Sequence, residues 1–234
     1  VSWNQEHPFI RHYQALAEIV GGRGIVKYTI PSPNQLMYPF IWDTGVYASK
    51  QAFAEDVRQT YRDAIRAFYD AGCRYLQIDD VYWGTLCNNY GKPDFDFADS
   101  KRYALENVQA ILAGKPADMT ITTHICRGNY KSSYLLSGAY DPVAPDLFGK
   151  TAYDGYFLEY DTDRAGGFEP LKYFNDNPHK GRIVLGLITS KFPELEDKTA
   201  VKARIAEAAK IVPLEQLALS PQCGFASTEE GNIM

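Results

Sequence analysis

The sequence predicts an α/β protein built on a parallel sheet, and three observations carry that prediction. Six short apolar runs recur along the 234 residues, and helix-period segments separate most of them. Several runs are almost continuously apolar, the pattern of strands covered on both faces in a parallel sheet. Alternation of strands and helices then gives an α/β fold.

The runs are IVKYTI (25–30), RYLQID (74–79), MTITTHIC (119–126), GYFLEYD (155–161), RIVLGLIT (182–189) and QLALSPQC (216–223). Between Ser49 and Gly72, the residues Phe53, Val57, Tyr61, Ile65 and Phe68 recur at spacings of three and four, with Gly72 where a helix stop belongs. A second helix is expected from about Ser100, with Tyr103, Val108, Ile111 and Leu112 inward and a stop near Gly114 and Pro116. A third starts around Asp197, carries Val201, Ile205, Ala208 and Val212 on one stripe, and stops at Pro213. The segment GGFEPLKYFNDNPHKG mixes a short helical pattern with turn residues. A doubly wound sheet and a TIM-type barrel both fit these elements.

Composition bounds the function classes. Hydrophobic residues at 45% and charged residues at 23% are those of a globular chain and exclude a disordered or fibrous one. A formal net charge of −5 gives no global electrostatic reason to hold nucleic acid or an anionic membrane. No apolar run approaches the roughly 18–20 residues that cross a bilayer, and VSWNQEHPF has neither a basic nor an apolar signal region. Four cysteines are too sparse for a secreted disulfide scaffold. The expectation is a single-domain cytoplasmic protein. The chain begins at Val1 in polar, aromatic-rich sequence and stops at GNIM, so it is also expected to be a piece of something longer.

Chemistry concentrates at the ends of the runs. In TITTHIC, His124 and Cys126 are two apart on a predicted strand, so both side chains point the same way. Imidazole and thiolate converging on one point form a ligand set that zinc prefers, although an isolated pair of this kind is more often a satisfied histidine beside a core cysteine. Glu159 lies at the end of GYFLEYD, where a carboxylate beside apolar neighbours needs a partner. Cys223 ends LALSPQC. Taken singly, Glu159 reads as a loop salt bridge and Cys223 as a small core residue. Together, three strands deliver His, Cys, Glu and Cys to the carboxyl edge of the sheet, where α/β barrels place their sites.

With QIDD (77–80), THICRGN (123–129), FLEYD (157–161) and LALSPQCGFAS (217–227), the chain resembles the catalytic domain of cobalamin-independent methionine synthase, in particular its short methionine-synthase-like members. The resemblance covers essentially the whole chain. It implies a TIM-type (β/α)8 barrel and a catalytic zinc with ligands His124, Cys126, Glu159 and Cys223. It also implies that Asp79 contacts the amino group of homocysteine, with Asp80 the weaker substrate-binding candidate at a position where the family usually has Glu. Glu159, as the oxygen ligand that an incoming sulfur displaces, and Asp79 are the catalytic candidates. A free thiol titrates near ~8.5, and zinc deprotonates it outright. Two cysteinate ligands would keep the metal's net positive charge low and leave the bound sulfur nucleophilic.

The implied reaction is methyl transfer from 5-methyltetrahydrofolate, polyglutamylated or not, to the thiol of homocysteine, a step of methionine biosynthesis. Two departures from the family keep alternatives open. Thr189 in LITSK stands where the family has a catalytic histidine thought to assist protonation of the folate leaving group. That admits another zinc thiol alkyltransferase, for example one joining an epoxide to coenzyme M. Only strands three to eight of the barrel are represented, without the first two strands and the last helix. A non-catalytic zinc-binding remnant is therefore a further alternative, and a missing segment or a second copy of the chain is expected to complete the barrel.

Other residues receive plainer readings. Cys73 is expected in the core and Cys87 in a loop. Tyr82 and Trp83 are read as loop aromatics that cap the core or stack a planar donor. His7 and His12 are read as surface residues, and His179 as part of a turn. Arg127, Lys131, Arg164 and Lys191 are read as salt-bridge partners of nearby acids, and RAGGFEP (164–170) as a mobile lid.

Overall fold

The structure is a computed structural model that describes residues 1–226 and 228–229. Ser227, the last residue of the LALSPQCGFAS stretch, and residues 230–234 lie outside the described residues. Six strands form one sheet: β1 (Lys27–Pro31), β2 (Tyr75–Asp79), β3 (Thr120–Ile125), β4 (Gly155–Glu159), β5 (Arg182–Ile188) and β6 (Leu217–Pro221). They lie in chain order, β1 to β6, and every neighbouring pair is parallel. A doubly wound sheet reverses its strand order at a switch point, whereas a barrel adds each strand beside the last. The observed order is that of a barrel with six strands present, an incomplete TIM-type (β/α)8 architecture. No helix among the described residues is long and apolar enough to cross a membrane.

The helices are α1 (Pro8–Val20), α2 (Pro39–Trp42), α3 (Lys50–Asp70), α4 (Val81–Asn89), α5 (Phe97–Leu112), α6 (Ala144–Lys150), α7 (Lys172–Asn175) and α8 (Lys198–Ala208). Ser49 caps α3 by accepting from the Ala52 N–H at 3.1 Å, and the chain leaves the helix through Gly72 at φ +99°. Asp96 caps α5 by accepting from the Asp99 N–H at 3.0 Å, which starts the helix ahead of the expected Ser100. Asp197 caps α8 through the Ala200 N–H at 2.8 Å; this helix ends at Ala208, short of Pro213, although Val212 is still buried.

One helix, α4, carries no readable period. In α4, every residue from Tyr82 to Cys87 is buried, so the helix is enclosed on all sides and shows no polar stripe. Tyr82, Trp83 and Cys87 therefore belong to a buried helix, which corrects their reading as loop residues. In α1, His7 is the N-cap, accepting from the Phe9 N–H at 3.3 Å and stacking on Trp3 with ring centroids 5.1 Å apart. The supposed lid at 164–170 is packed: Ala165, Phe168, Pro170 and Leu171 are buried, and short 3-10 turns replace a flexible loop.

The strands alternate more than their apolar appearance suggests. Leu76, Ile78, Ile121, Ile125, Tyr156, Leu158, Ile183 and Leu185 belong to the core cluster that includes Phe53, Val57, Phe68, Tyr103, Val108, Leu147 and Phe174 from the helices. Burying each such side chain contributes roughly 1.5–3 kcal/mol. The intervening positions, among them Gln77, Asp79, His124 and Phe157, line a cleft on the other face. The helix side of the sheet thus holds the fold together, and the inner side is left for polar chemistry.

Candidate metal centre

Strand register sets the first part of the site. Asp79 on β2 pairs with His124 on β3, and the Asp80 N–H donates to the His124 carbonyl at 2.8 Å. His124 and Cys126 then project from one face of β3 and its end. Behind Cys126 the chain turns sharply at Gly128, φ +97°, where an added Cβ would lie 2.6 Å from the Leu135 nitrogen. The turn is closed by the Leu135 and Leu136 N–H groups donating to the Arg127 carbonyl at 2.8 and 2.9 Å. Its backbone also serves the site: the Gly128 N–H donates to Cys126 Sγ at 3.1 Å, and the Arg127 N–H donates to Glu159 Oε2 at 3.0 Å.

Cys223 arrives from the far side of the sheet. The register of β5 and β6 shifts between Gly186 and Ile188, and the Gln222 N–H donates to the Ile188 carbonyl at 2.8 Å. A Cβ on Gly186 would meet the Leu158 carbonyl at 2.6 Å and Gln222 Cα at 2.8 Å, so glycine lets the chain before Cys223 close in. The Asn129 amide fixes the following residue by donating to the Gly224 carbonyl at 2.7 Å.

The outcome is a cluster. One ligand atom each from His124, Cys126 and Cys223 lies within 4.8 Å of the others, and the two sulfurs are 3.8 Å apart. The donors fit zinc. Two sulfurs on a tetrahedral ion at the usual zinc–sulfur distance of ~2.3 Å sit about 3.8 Å from each other. His124 Nε2 is buried and makes no hydrogen bond among the described residues, an orphaned lone pair or N–H that a metal would satisfy. The thiols are electrostatically unequal. Cys223 is pulled well below the ordinary thiol range, first by the hydrogen bond from Cys126 and then by His124, against the opposing effect of burial. Cys126 is pushed up by the same hydrogen bond, by burial and by the negative charge of Glu159. The downward pull on Cys223 favours its thiolate, the form that ligates a metal.

Glu159 lies at the end of β4, wholly buried beside this cluster but outside the group whose ligand atoms converge. Its Oε1 accepts from Arg164 Nη2 at 3.0 Å, and its Oε2 accepts from the Arg127 N–H. In the amide orientation that satisfies both of its ends, Gln222 also donates to Oε2 at 2.9 Å and accepts from Lys191 Nζ at 2.6 Å. Arg164 is therefore the salt-bridge partner expected for it, whereas Arg127 is buried and donates to the Gly138 carbonyl and, at 2.8 Å, to the Tyr140 hydroxyl.

The two consecutive aspartates part company. Asp79 lines an open cleft of about 630 Å³ together with His124 and Cys223, and its Oδ1 accepts from Gln77 Nε2 at 2.7 Å. Burial raises its carboxyl above the ordinary range, against the hydrogen bond from Gln77 and the nearby His124. Asp80 faces the other way. It is fully buried, its Oδ2 accepts from Asn34 Nδ2 at 2.8 Å, and it does not line the cleft. Adjacent residues at a strand end point to opposite faces, so only one of the pair can meet a ligand in the cleft. Thr189 uses its N–H on Glu196 Oε1 at 2.6 Å and its hydroxyl as acceptor for the Lys191 N–H at 3.2 Å.

Sequence reading passed over Lys27, Gln77, Asn129 and Phe157, all of which line the cleft. Gln77 and Phe157 lie two residues before Asp79 and Glu159, so strand alternation alone points to them. Lys27 sits 3.7 Å from the centre of the Phe157 ring; burial lowers its ammonium pKa, opposed by the charge of Asp79.

Comparison with known proteins agrees with this arrangement. Residues 40–233 match the family described as cobalamin-independent synthase, catalytic domain. The uncharacterised Bacillus subtilis protein YxjH is 47% identical over 233 residues, covering 97% of this chain and 61% of its own length. A 5-methyltetrahydropteroyltriglutamate–homocysteine methyltransferase of Aliivibrio fischeri is 23% identical over 96% of this chain and 25% of its own length. Among solved structures, a Listeria monocytogenes protein provisionally described as a vitamin-B12-independent methionine synthase superposes with a TM-score of 0.77 at 46% identity, covering 98% of this chain and 66% of that one. A B12-independent methionine synthase of Shewanella, solved with selenomethionine, shares the fold with a TM-score of 0.68 at 19% identity, over 92% of this chain and 59% of that one. The chain thus spans about three fifths of the length of the Bacillus relatives it matches. Strand order, the cluster at the sheet's carboxyl edge and the match over residues 40–233 lead to one conclusion: the chain belongs to the family of cobalamin-independent synthase catalytic domains.

Proposed function

We propose that this chain carries the metal-binding half-site of a zinc-dependent methyltransferase that moves a methyl group from 5-methyltetrahydrofolate to the thiol of homocysteine, forming methionine. The observation that carries the reading is the convergence of His124, Cys126 and Cys223 beside a cleft that Asp79 also lines. His124, Cys126 and Cys223 would hold the ion, and Glu159 would be the fourth, exchangeable ligand. A bound zinc would supply a thiolate at neutral pH.

The chain's own residues do the rest. Asp79, fixed by Gln77, offers a carboxylate to the substrate ammonium. The N–H groups of Arg127 and Gly128 hold Glu159 and the Cys126 sulfur from one turn, so that ligand and sulfur keep their spacing. Lys27 and Phe157 give the cleft a cationic and an aromatic wall.

Within the sheet, β1 and β6 have an unpaired edge each among the described residues. Two further strands between them would complete an eight-stranded barrel, and the working enzyme takes them from additional chain or from a second copy. In this reading residues 1–234 form most of one catalytic barrel.

A second reading has a specific observation in its favour. Thr189, at the position of the family histidine, offers an alcohol, far too weak an acid to protonate a folate nitrogen near neutral pH. A different alkyl donor would not need that acid. Assay of methionine formation from homocysteine, with zinc and 5-methyltetrahydrofolate set against a panel of other alkyl donors, decides between the two. Turnover with folate supports the first reading; turnover only with another donor establishes the second.

A further inference from the structure

Arg164 stands between two buried carboxylates and has satisfied only one. Its Nη2 donates to Glu159 Oε1 at 3.0 Å and lies 3.6 Å from Asp161 Oδ1. Among the described residues, both oxygens of Asp161 are buried without a hydrogen bond, and so is Nε of Arg164. The side chain of Asp161 is fully enclosed, as is that of Glu159. An enclosed carboxylate with no donor is costly, and a guanidinium with five N–H groups and an idle Nε is the nearest remedy. The guanidinium carbon lies 4.2 Å from the centre of the Tyr134 ring, a face on which the head group can turn without losing its cation–π contact.

The hold on Glu159 is asymmetric in the same sense. Oε2 is kept by the Arg127 backbone N–H, which cannot leave without undoing the turn after β3. Among the described residues, Oε1 is kept by a hydrogen bond from Arg164 alone. Turning Arg164 toward Asp161 would satisfy Asp161 and Nε together and would free Oε1.

We propose that Arg164 is a positioning residue that alternates between Glu159 and Asp161, and thereby sets how readily Glu159 joins and leaves the metal. This rests on the reading of Glu159 as the exchangeable fourth ligand of a zinc held by His124, Cys126 and Cys223. With Arg164 on Glu159, the carboxylate is withheld and the fourth position is open to a thiol. With Arg164 on Asp161, the carboxylate is released to close the site.

The test is the zinc dissociation constant of the full chain, measured by competition with a chromophoric chelator. Arg164→Gln should tighten zinc binding by about tenfold, and Asp161→Asn, which leaves Arg164 only a neutral and weaker alternative partner, should weaken it by a similar factor. Both changes also alter net charge in directions that would shift zinc affinity through space, so each is repeated in a Glu159→Gln background. Collapse of both shifts to within about twofold there shows that they act through Glu159. Shifts that persist undiminished in that background overturn the proposal, as does a zinc-binding wild type whose affinity neither substitution moves. Should Arg164→Gln fail to fold, Asp161→Asn, which keeps the Arg164–Glu159 pair, carries the test alone. A wild type that binds no zinc at all sinks the reading of the metal centre itself, a different result from either of these.

Discussion

The sulfurs of Cys126 and Cys223 lie 3.8 Å apart although 97 positions of chain separate the two residues. Cys126 follows the third strand of the sheet and Cys223 follows the sixth, so the pair exists only because the sheet curves. Two sulfurs at that distance, beside the His124 imidazole, are poised for a cation.

The purified chain should therefore take up about one zinc ion. Cys126→Ser and Cys223→Ser should each lose most of that binding. Cys73→Ser should retain it, because Cys73 is a core residue whose thiol donates to the Tyr75 carbonyl at 3.4 Å. Metal analysis after gel filtration measures all three.

Without metal the same proximity becomes a redox liability. Mild oxidation of the metal-free chain should join Cys126 to Cys223, and a thiol count should fall by two, while Cys73 and Cys87 stay reduced in the core. Zinc loaded beforehand should protect the pair. Peptide mapping that finds a different pair bonded contradicts this.

Asp79→Asn should leave zinc content unchanged and raise the KM for the thiol substrate by roughly ten- to a hundredfold, the scale of one lost hydrogen bond to a charged group. Steady-state kinetics beside metal analysis separates the two effects. Loss of zinc in this variant would assign Asp79 to the metal instead.

Asp80 gives a pH signature of its own. Burial, only partly offset by hydrogen bonds from Ser32 and Asn34, pushes its carboxyl up to about 6 from the usual 3.8. The folded state then binds this proton more readily than the unfolded chain. Its effect on stability is accordingly unfavourable above pH 6 and is relieved as pH falls from 6 toward 4. Asp80→Asn removes that dependence. Urea unfolding at pH 7 and pH 5 should find wild type gaining roughly 1 kcal/mol relative to the variant at the lower pH. Parallel pH dependence in the two proteins would contradict it.

Gly186→Ala should destabilise the chain by about 1–3 kcal/mol, the range for overpacking a tight site. The added methyl meets the Leu158 carbonyl and the Gln222 backbone, so it should also weaken zinc binding by displacing the segment that bears Cys223. Thermal unfolding and chelator competition read the two effects separately.

How much of this was legible in the sequence divides along physical lines. All six strands were found from their apolar runs, and α3, α5 and α8 from their stripes, because each of those helices has one wet face. The helix α4 escaped because residues Tyr82 to Cys87 are buried all round, which erases the period that identifies a helix. His124, Cys126 and Cys223 were legible because their chemistry is unusual at strand ends. The placement of Arg164 between Glu159 and Asp161 was not, since ion pairs between residues five and three apart at a strand end are indistinguishable in sequence from solvated ones. Asp79 and Asp80 looked equivalent until the pleat assigned them to opposite sides.

A cation held by side chains from β3 and from beyond β6 would be a chord drawn across an arc, spanning β4 and β5 without touching their backbones. A chord resists flattening. Loading the ion would lock the curvature on which a closed barrel depends, and its removal would loosen the sheet at its carboxyl rim first, so that thermal midpoints should climb with the concentration of free metal.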